Sequence, residues 1–168
     1  MKKSSVKFYD YHVWANKKIF NHLQSLPENV CTDELTSVFP SIKDALVHTY
    51  VIEQGWLSTL LGDESSDLNE MAERVKTLTK KAQSKNISGL EQLFDDLYEE
   101  FKRAFDKIDD FNQQTTVFFG QLECSYNDIV THVVNHGTYH RGNITAMLRQ
   151  QGYNGCATDY GLFLFEQK

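Results

Sequence analysis

Apolar residues return every three or four positions along four long stretches of this chain, the spacing of helices that each bury one face. In the first, from about Ser5 to Gln24, Phe8, Tyr11, His12, Ala15, Ile19, His22 and Leu23 fall near one face, and Ser-Leu-Pro-Glu then ends it. The second runs from about Ser41 to Leu61. Ser41 stands as N-cap with Asp44 three residues on, the stripe runs from Ile42 through Leu46, Thr49, Ile52 and Trp56 to Leu60, and Gly62 stops it. The third runs from about Ser88, where Ser-Gly-Leu-Glu has the form of a capping box, to Asp109, with a stripe from Leu90 through Phe94, Leu97, Phe101 and Phe105 to Ile108. The fourth runs from about Tyr126 to Gln150, capped by Ser125 with Asp128 and followed by Gly152, where a left-handed residue suits the helix end.

Between them, Glu64 to Asn86 is polar and is the longest irregular candidate, with a weak signal for a short helix in its middle. Thr115 to Phe119 is short, β-branched and aromatic, which favours extended backbone. The tail from Thr158 to Phe165 reads as a final apolar turn or short helix docked on the rest. Both prolines, Pro27 and Pro40, fall between the periodic segments. Four long helices without confident strand alternation argue for an all-α bundle, and the 168 residues are one domain's worth, residues 1–168.

Composition narrows the function classes. Hydrophobic residues make up 40% and charged residues 24%, ordinary for a globular protein. The net charge of -6 leaves only short basic pairs, such as Lys17-Lys18 and Lys80-Lys81, so nucleic acid is not an expected partner. No run is apolar enough for a signal peptide or a bilayer span, so the expected location is the cytoplasm, with no membrane partner. Cys31, Cys124 and Cys156 are odd in number and far apart, which fits packing residues better than disulfides or a thiolate zinc site.

The chemistry concentrates in Thr131–Asn143, where His132, His136 and His140 recur every four residues. Helical residues four apart lie about 40° apart around the axis and about 6 Å apart along it, so two such imidazoles can close on one ion. His132 and His140 are about 12 Å apart along the axis, too far to share an ion easily. With His136 as zero, Ile129 and Met147 lie near about +20°, His140 near about +40° and Val133 near about +60°, while His132 falls near about −40°. The inward pair is therefore His136 and His140. A catalytic ion needs a third ligand from elsewhere, and His12, His22 and His48 are the histidines outside this helix. His48 sits at the edge of the second helix's stripe, where a side chain can look into a cleft. A lone helical histidine is ordinarily a core or surface residue; the paired spacing on an apolar arc is what points to metal, and spacing goes no further.

The segment from His136-Gly-Thr-Tyr-His140-Arg141-Gly-Asn143 to Gln151-Gly152-Tyr153 resembles the closing helix of the DinB-like superfamily, bacterial proteins named for a damage-inducible member. Tyr11-His-Val-Trp14-Ala-Asn16 resembles that family's opening helix, the stretch Leu46-Val-His48 to Trp56 its second, and Asp159-Tyr160 its tail. Asn143 departs from the commoner Gln. The resemblance covers nearly the whole chain. It implies a four-helix bundle that forms a homodimer, and one divalent ion, zinc or nickel, held by His48, His136 and His140. It also implies chemistry with a small-molecule thiol and an electrophile, since characterised members include bacillithiol and mycothiol S-transferases and a maleylpyruvate isomerase.

Three neutral imidazoles leave an ion doubly charged with an open position, the layout of a catalytic site. Such an ion lowers the pKa of a bound thiol or water. The leading expectation is a metal-dependent thiol S-transferase of bacillithiol type. The alternatives are a non-catalytic metal-binding module of the stress response, and a hydrolase using bound water. No catalytic side chain stands out. Glu53, near the inward arc of the second helix, is a candidate imidazole acceptor or general base, with a buried ion pair as the competing role. Arg141, turned about 100° from its neighbouring ligand, is a candidate for a substrate carboxylate or a structural salt bridge. Trp14, Tyr50 and Trp56 are expected in the core.

Overall fold

The computed structural model describes residues 2–63, 67–118 and 120–167. Glu64, the first residue of the polar stretch, and Phe119, the last of the extended run, lie outside the described residues. Among the described residues there are six α-helices and one two-stranded antiparallel sheet. The helices are α1 (Lys2–Gln24), α2 (Ile42–Leu61), α3 (Leu68–Gln83), α4 (Ile87–Asp106), α5 (Tyr126–Gln150) and α6 (Tyr160–Glu166). A single turn of 3₁₀ helix, Glu28–Cys31, follows Pro27.

The helix ends show why the chain breaks where it does. Ser41 caps α2 by accepting the Asp44 amide at 3.1 Å, and Gly62 closes it in the left-handed region at φ 69. Ser125 and Asp128 form the reciprocal box at the start of α5, each side chain taking the other's backbone N–H. At the far end Gly152 has φ 84, and the Tyr153 amide reaches back to the Leu148 carbonyl at 2.9 Å. Three boundaries differ from the sequence reading. α1 begins at Lys2, whose ammonium donates to the Ile108 carbonyl at 2.8 Å. α4 begins at Ile87, because Asn86 and not Ser88 is the cap, accepting the Gly89 amide at 2.9 Å. It ends at Asp106 and not Asp109.

α1 packs on α4 and α5, and α2 packs on the same two helices. The four enclose a core that includes Phe20, Ile42, Leu57, Leu97, Phe101 and Ile129, all fully buried. α6 lies on α1, with Phe163 buried against Tyr11 and Trp14.

Two elements go beyond the expected all-α reading. The polar stretch holds a helix of 16 residues, α3, started by Asp67, which accepts the Asn69 amide. Ala82 is its only buried residue among those described, so its periodicity left a faint trace in the sequence. Thr115 belongs to β1 (Gln114–Val117), which pairs with β2 (Leu122–Ser125) in register from Gln114 with Ser125 to Val117 with Leu122. Leu-Glu-Cys-Ser is too short to alternate convincingly, so β2 was not expected. Among the described residues, no helix is long and apolar enough to cross a membrane.

Candidate metal centre

α2 supplies His48, and α5 supplies His136 and His140 one turn apart. One ring nitrogen from each lies within 4.8 Å of the others, close enough that the three could hold a metal ion. His140 Nε2 and His136 Nε2 are 3.0 Å apart. Bonds of about 2.05 Å in a tetrahedral site place two nitrogens about 3.3 Å apart, so this pair is spaced nearly as ligands would be. The His48 ring sits 4.7 Å from that of His140 and 5.4 Å from that of His136, centroid to centroid.

Burial tunes these rings toward ligation. Desolvation, reinforced by the neighbouring imidazoles, pushes His136 down to about 3. Desolvation and then His48 push His140 down to about 4. His48 is lowered by desolvation as well. Near neutral pH the three rings are uncharged, the state in which an imidazole offers a lone pair to a cation. His136 Nδ1 is buried without a hydrogen-bond partner, and Asn143 Nδ2 stands 3.5 Å from His140 Nδ1. Two ring nitrogens face to face, with the imidazole of His48 beside them, form a donor set that fits a divalent cation.

The remaining histidines do other things. His132 is exposed, stacks on His136 at 6.0 Å and packs on Trp56 at 4.4 Å, so it flanks the trio. His22 Nε2 reaches the Asn154 carbonyl at 2.6 Å. His12 is fully buried on α1, where it meets the two catalytic candidates.

Arg141 is only 4% exposed and faces α1, not the histidine trio's open side. Its guanidinium donates to Asn16 Oδ1 at 2.8 Å and Thr138 Oγ1 at 2.7 Å, and one amino group stands 3.3 Å from His12 Nδ1. Asn16 Nδ2 stands 3.0 Å from the other ring nitrogen of His12, Nε2. That nitrogen lies 3.1 Å from Glu53 Oε1, whose carboxylate is fully buried. The distance suits an ion pair, but no aligned hydrogen bond forms at either carboxylate oxygen. Tyr9 and Tyr98 close the cluster, their phenols raised well above the ordinary value by desolvation and then by the charge of Glu53. Glu53 and Arg141 thus sit in one dry polar cluster that ties α1, α2 and α5 together behind the histidines.

The sequence reading missed two participants. Asn16 bridges Arg141 and Tyr98. Phe39 packs its ring 5.2 Å from His48 and 5.4 Å from His140, and its only signal was an aromatic side chain just ahead of the Pro40-Ser41 entry. Trp56 is half-buried beside His132 and not in the core, and Trp14 is half-buried with its indole N–H on Glu166 at 2.9 Å; Tyr50 is buried as expected.

The sequence profile of the DinB family matches residues 1–168. Protein DinB of Bacillus subtilis (strain 168) is 42% identical over 171 residues, an alignment spanning all of this chain and 98% of that protein. The chain belongs to the DinB family.

Proposed function

We propose that this chain is a divalent-metal-dependent transferase that joins a low-molecular-weight thiol of bacillithiol type to an electrophile. The observation that carries the proposal is the meeting of three neutral, partly desolvated imidazoles from two helices. His48, His136 and His140 would hold the ion, zinc or nickel, and leave part of its coordination sphere open. An ion held there makes a thiol acidic enough to react as thiolate at neutral pH.

The chain's own residues prepare the site. Phe39 covers one side of the trio and lowers the local dielectric. Asn143 places its side-chain amide 3.5 Å from the second nitrogen of His140, where its carbonyl, with the amide turned over, could accept the ring N–H. Arg141, His12 and Glu53 fix the spacing of α1, α2 and α5, which sets how closely the ligands approach. In the reaction the thiol's proton leaves to solvent, a sulfur–carbon bond forms, and the electrophile's leaving group departs with its electron pair. The ring of α1, α2, α4 and α5 supports a four-helix-bundle reading, and a cytoplasmic homodimer completes it.

The test is elemental analysis of purified wild type beside His48→Ala, His136→Ala, His140→Ala and His132→Ala, together with thiol consumption by zinc- or nickel-loaded protein against monochlorobimane. The first three variants should lose the ion and the activity, and His132→Ala should keep most of both. Full metal retention in any of the first three, or no thiol consumption above background with any cellular thiol, would overturn the reading. Ester or amide turnover without thiol would favour a hydrolase, and metal without turnover a binding module.

A further inference from the structure

Beside the histidine trio, α2 and α3 stand apart along a cleft of about 790 Å³. The face of α2 that lines it carries His48, Val51, Ile52, Gly55 and Trp56, spaced by three and four residues so that they share one side. α3 supplies the opposite wall with Met71, Val75 and Leu78. Met71 and Val75 are 41% and 50% exposed on this wall. The cleft has a candidate metal ligand, His48, in its lining and is otherwise mostly apolar. Its size falls within the roughly 300–1,000 Å³ of small-molecule sites.

Gly55 gives the second, independent observation. A glycine inside a helix costs about 1 kcal/mol relative to alanine. Crowding does not require it here, because a Cβ at position 55 would meet nothing within 4 Å. Its backbone conformation is helical and needs no glycine. The missing side chain leaves room in the cleft, next in sequence to Trp56 and two turns from His48.

Charge selects among occupants. Asp44, Asp63 and Glu70 line the cleft against one cation, Arg74, whose guanidinium is itself 3.5 Å from Asp63. An anionic ligand would meet net repulsion, while an uncharged one would lose nothing to the rim. We propose that the α2–α3 cleft binds an uncharged, apolar small molecule, with Gly55 kept bare to admit it, Trp56 as a stacking wall and His48 in its lining. Resting on the transferase reading, this is the seat of the electrophile and defines its class as neutral and hydrophobic.

The experiment measures binding without turnover. Metal-free full-length protein, with no thiol present, is titrated with Nile red, a neutral apolar dye, and separately with the anionic dye 1-anilinonaphthalene-8-sulfonate. Nile red should bind saturably at one site with a blue-shifted, enhanced emission, and the anionic dye should bind less tightly. Gly55→Leu should weaken Nile red binding at least about tenfold, the low end of what one misplaced methylene costs in an apolar pocket. Its thermal midpoint should not fall, because the substitution also relieves a helix-interior glycine. Met71→Glu, on the opposite wall, should weaken the dye similarly while leaving α2 untouched. Unchanged dye binding in both variants, tighter binding of the anionic dye, or a shift of oligomeric state in place of dye loss would overturn the proposal; the last would assign the cleft to a second copy. Failure of thiol transfer alone would leave the binding result standing.

Discussion

Gly137 lies between His136 and Thr138, on the side of α5 that faces His12 of α1. A Cβ there would stand 2.3 Å from His12 Cε1, 2.5 Å from His12 Nδ1 and 3.0 Å from an Arg141 amino nitrogen. Gly137→Ala therefore tests whether the cluster behind the histidines is rigid. In an open helix the change would favour the fold by about 1 kcal/mol. Overpacking a tight interior costs about 1–3 kcal/mol. The His12 ring cannot swing away freely, since Arg141 and Asn16 stand against its two nitrogens. Partial relaxation of α1 should leave a net loss of about 1–2 kcal/mol, the overpacking cost less part of the helix gain. Urea denaturation of metal-free protein, with the slope checked for constancy, reads this directly. Gly142→Ala, one turn away where a Cβ meets nothing within 4 Å, serves as the control and should be neutral or stabilising. In a His12→Ala background the cost of Gly137→Ala should shrink by more than half, because the clashing ring is gone. If Gly137→Ala matches or exceeds wild-type stability, the close approach is not a constraint and the reasoning fails.

Three further outcomes follow from the same geometry. His136 and His140 are held at about 3 and about 4 against an ordinary 6.5, so the unfolded chain binds more protons than the fold between those values. Their contribution to metal-free stability should be complete above about pH 6.5 and lost progressively as pH falls toward 4; a urea midpoint that does not drop between pH 7 and 5 would contradict this. Asp128→Ala removes the carboxylate that accepts both the Ser125 amide at 2.9 Å and its hydroxyl at 2.6 Å, and should cost about 1–2 kcal/mol by the same denaturation assay. Burial pushes the Cys31 thiol up to about 11, so iodoacetamide at pH 8 should alkylate half-buried Cys124 well before Cys31 in native protein, as read by peptide mass spectrometry.

What the sequence revealed depended on how strongly each feature shaped local pattern. The four long helices were legible because each buries a continuous stripe, and Ser41 and Ser125 mark their starts with side chains that do the capping. The inward turn of His140 and the outward turn of His132 were legible too, since a wheel needs only the neighbours on the same helix. α3 left little trace because its apolar residues are few and face a cleft, and β2 because four residues give no period. The cluster of His12, Asn16, Glu53 and Arg141 joins positions up to 129 residues apart, and no local rule connects them. Arg141 read as a candidate for a substrate carboxylate or a structural salt bridge for the same reason: apart from Thr138, its partners Tyr11, His12 and Asn16 come from α1.

α3 has one substantial neighbour, α2, and one buried residue, Ala82. Its removal from place would break few of the contacts that hold Phe101, Ile129 and the rest of the interior. It should therefore exchange its amide hydrogens sooner than α5, opening and reclosing as a unit while the imidazoles keep their positions. The same loose attachment lets residues 71, 75 and 78 change without disturbing the helices that carry the histidines. Preference for one guest over another can then be rewritten on α3 alone, leaving the reactive apparatus as it was.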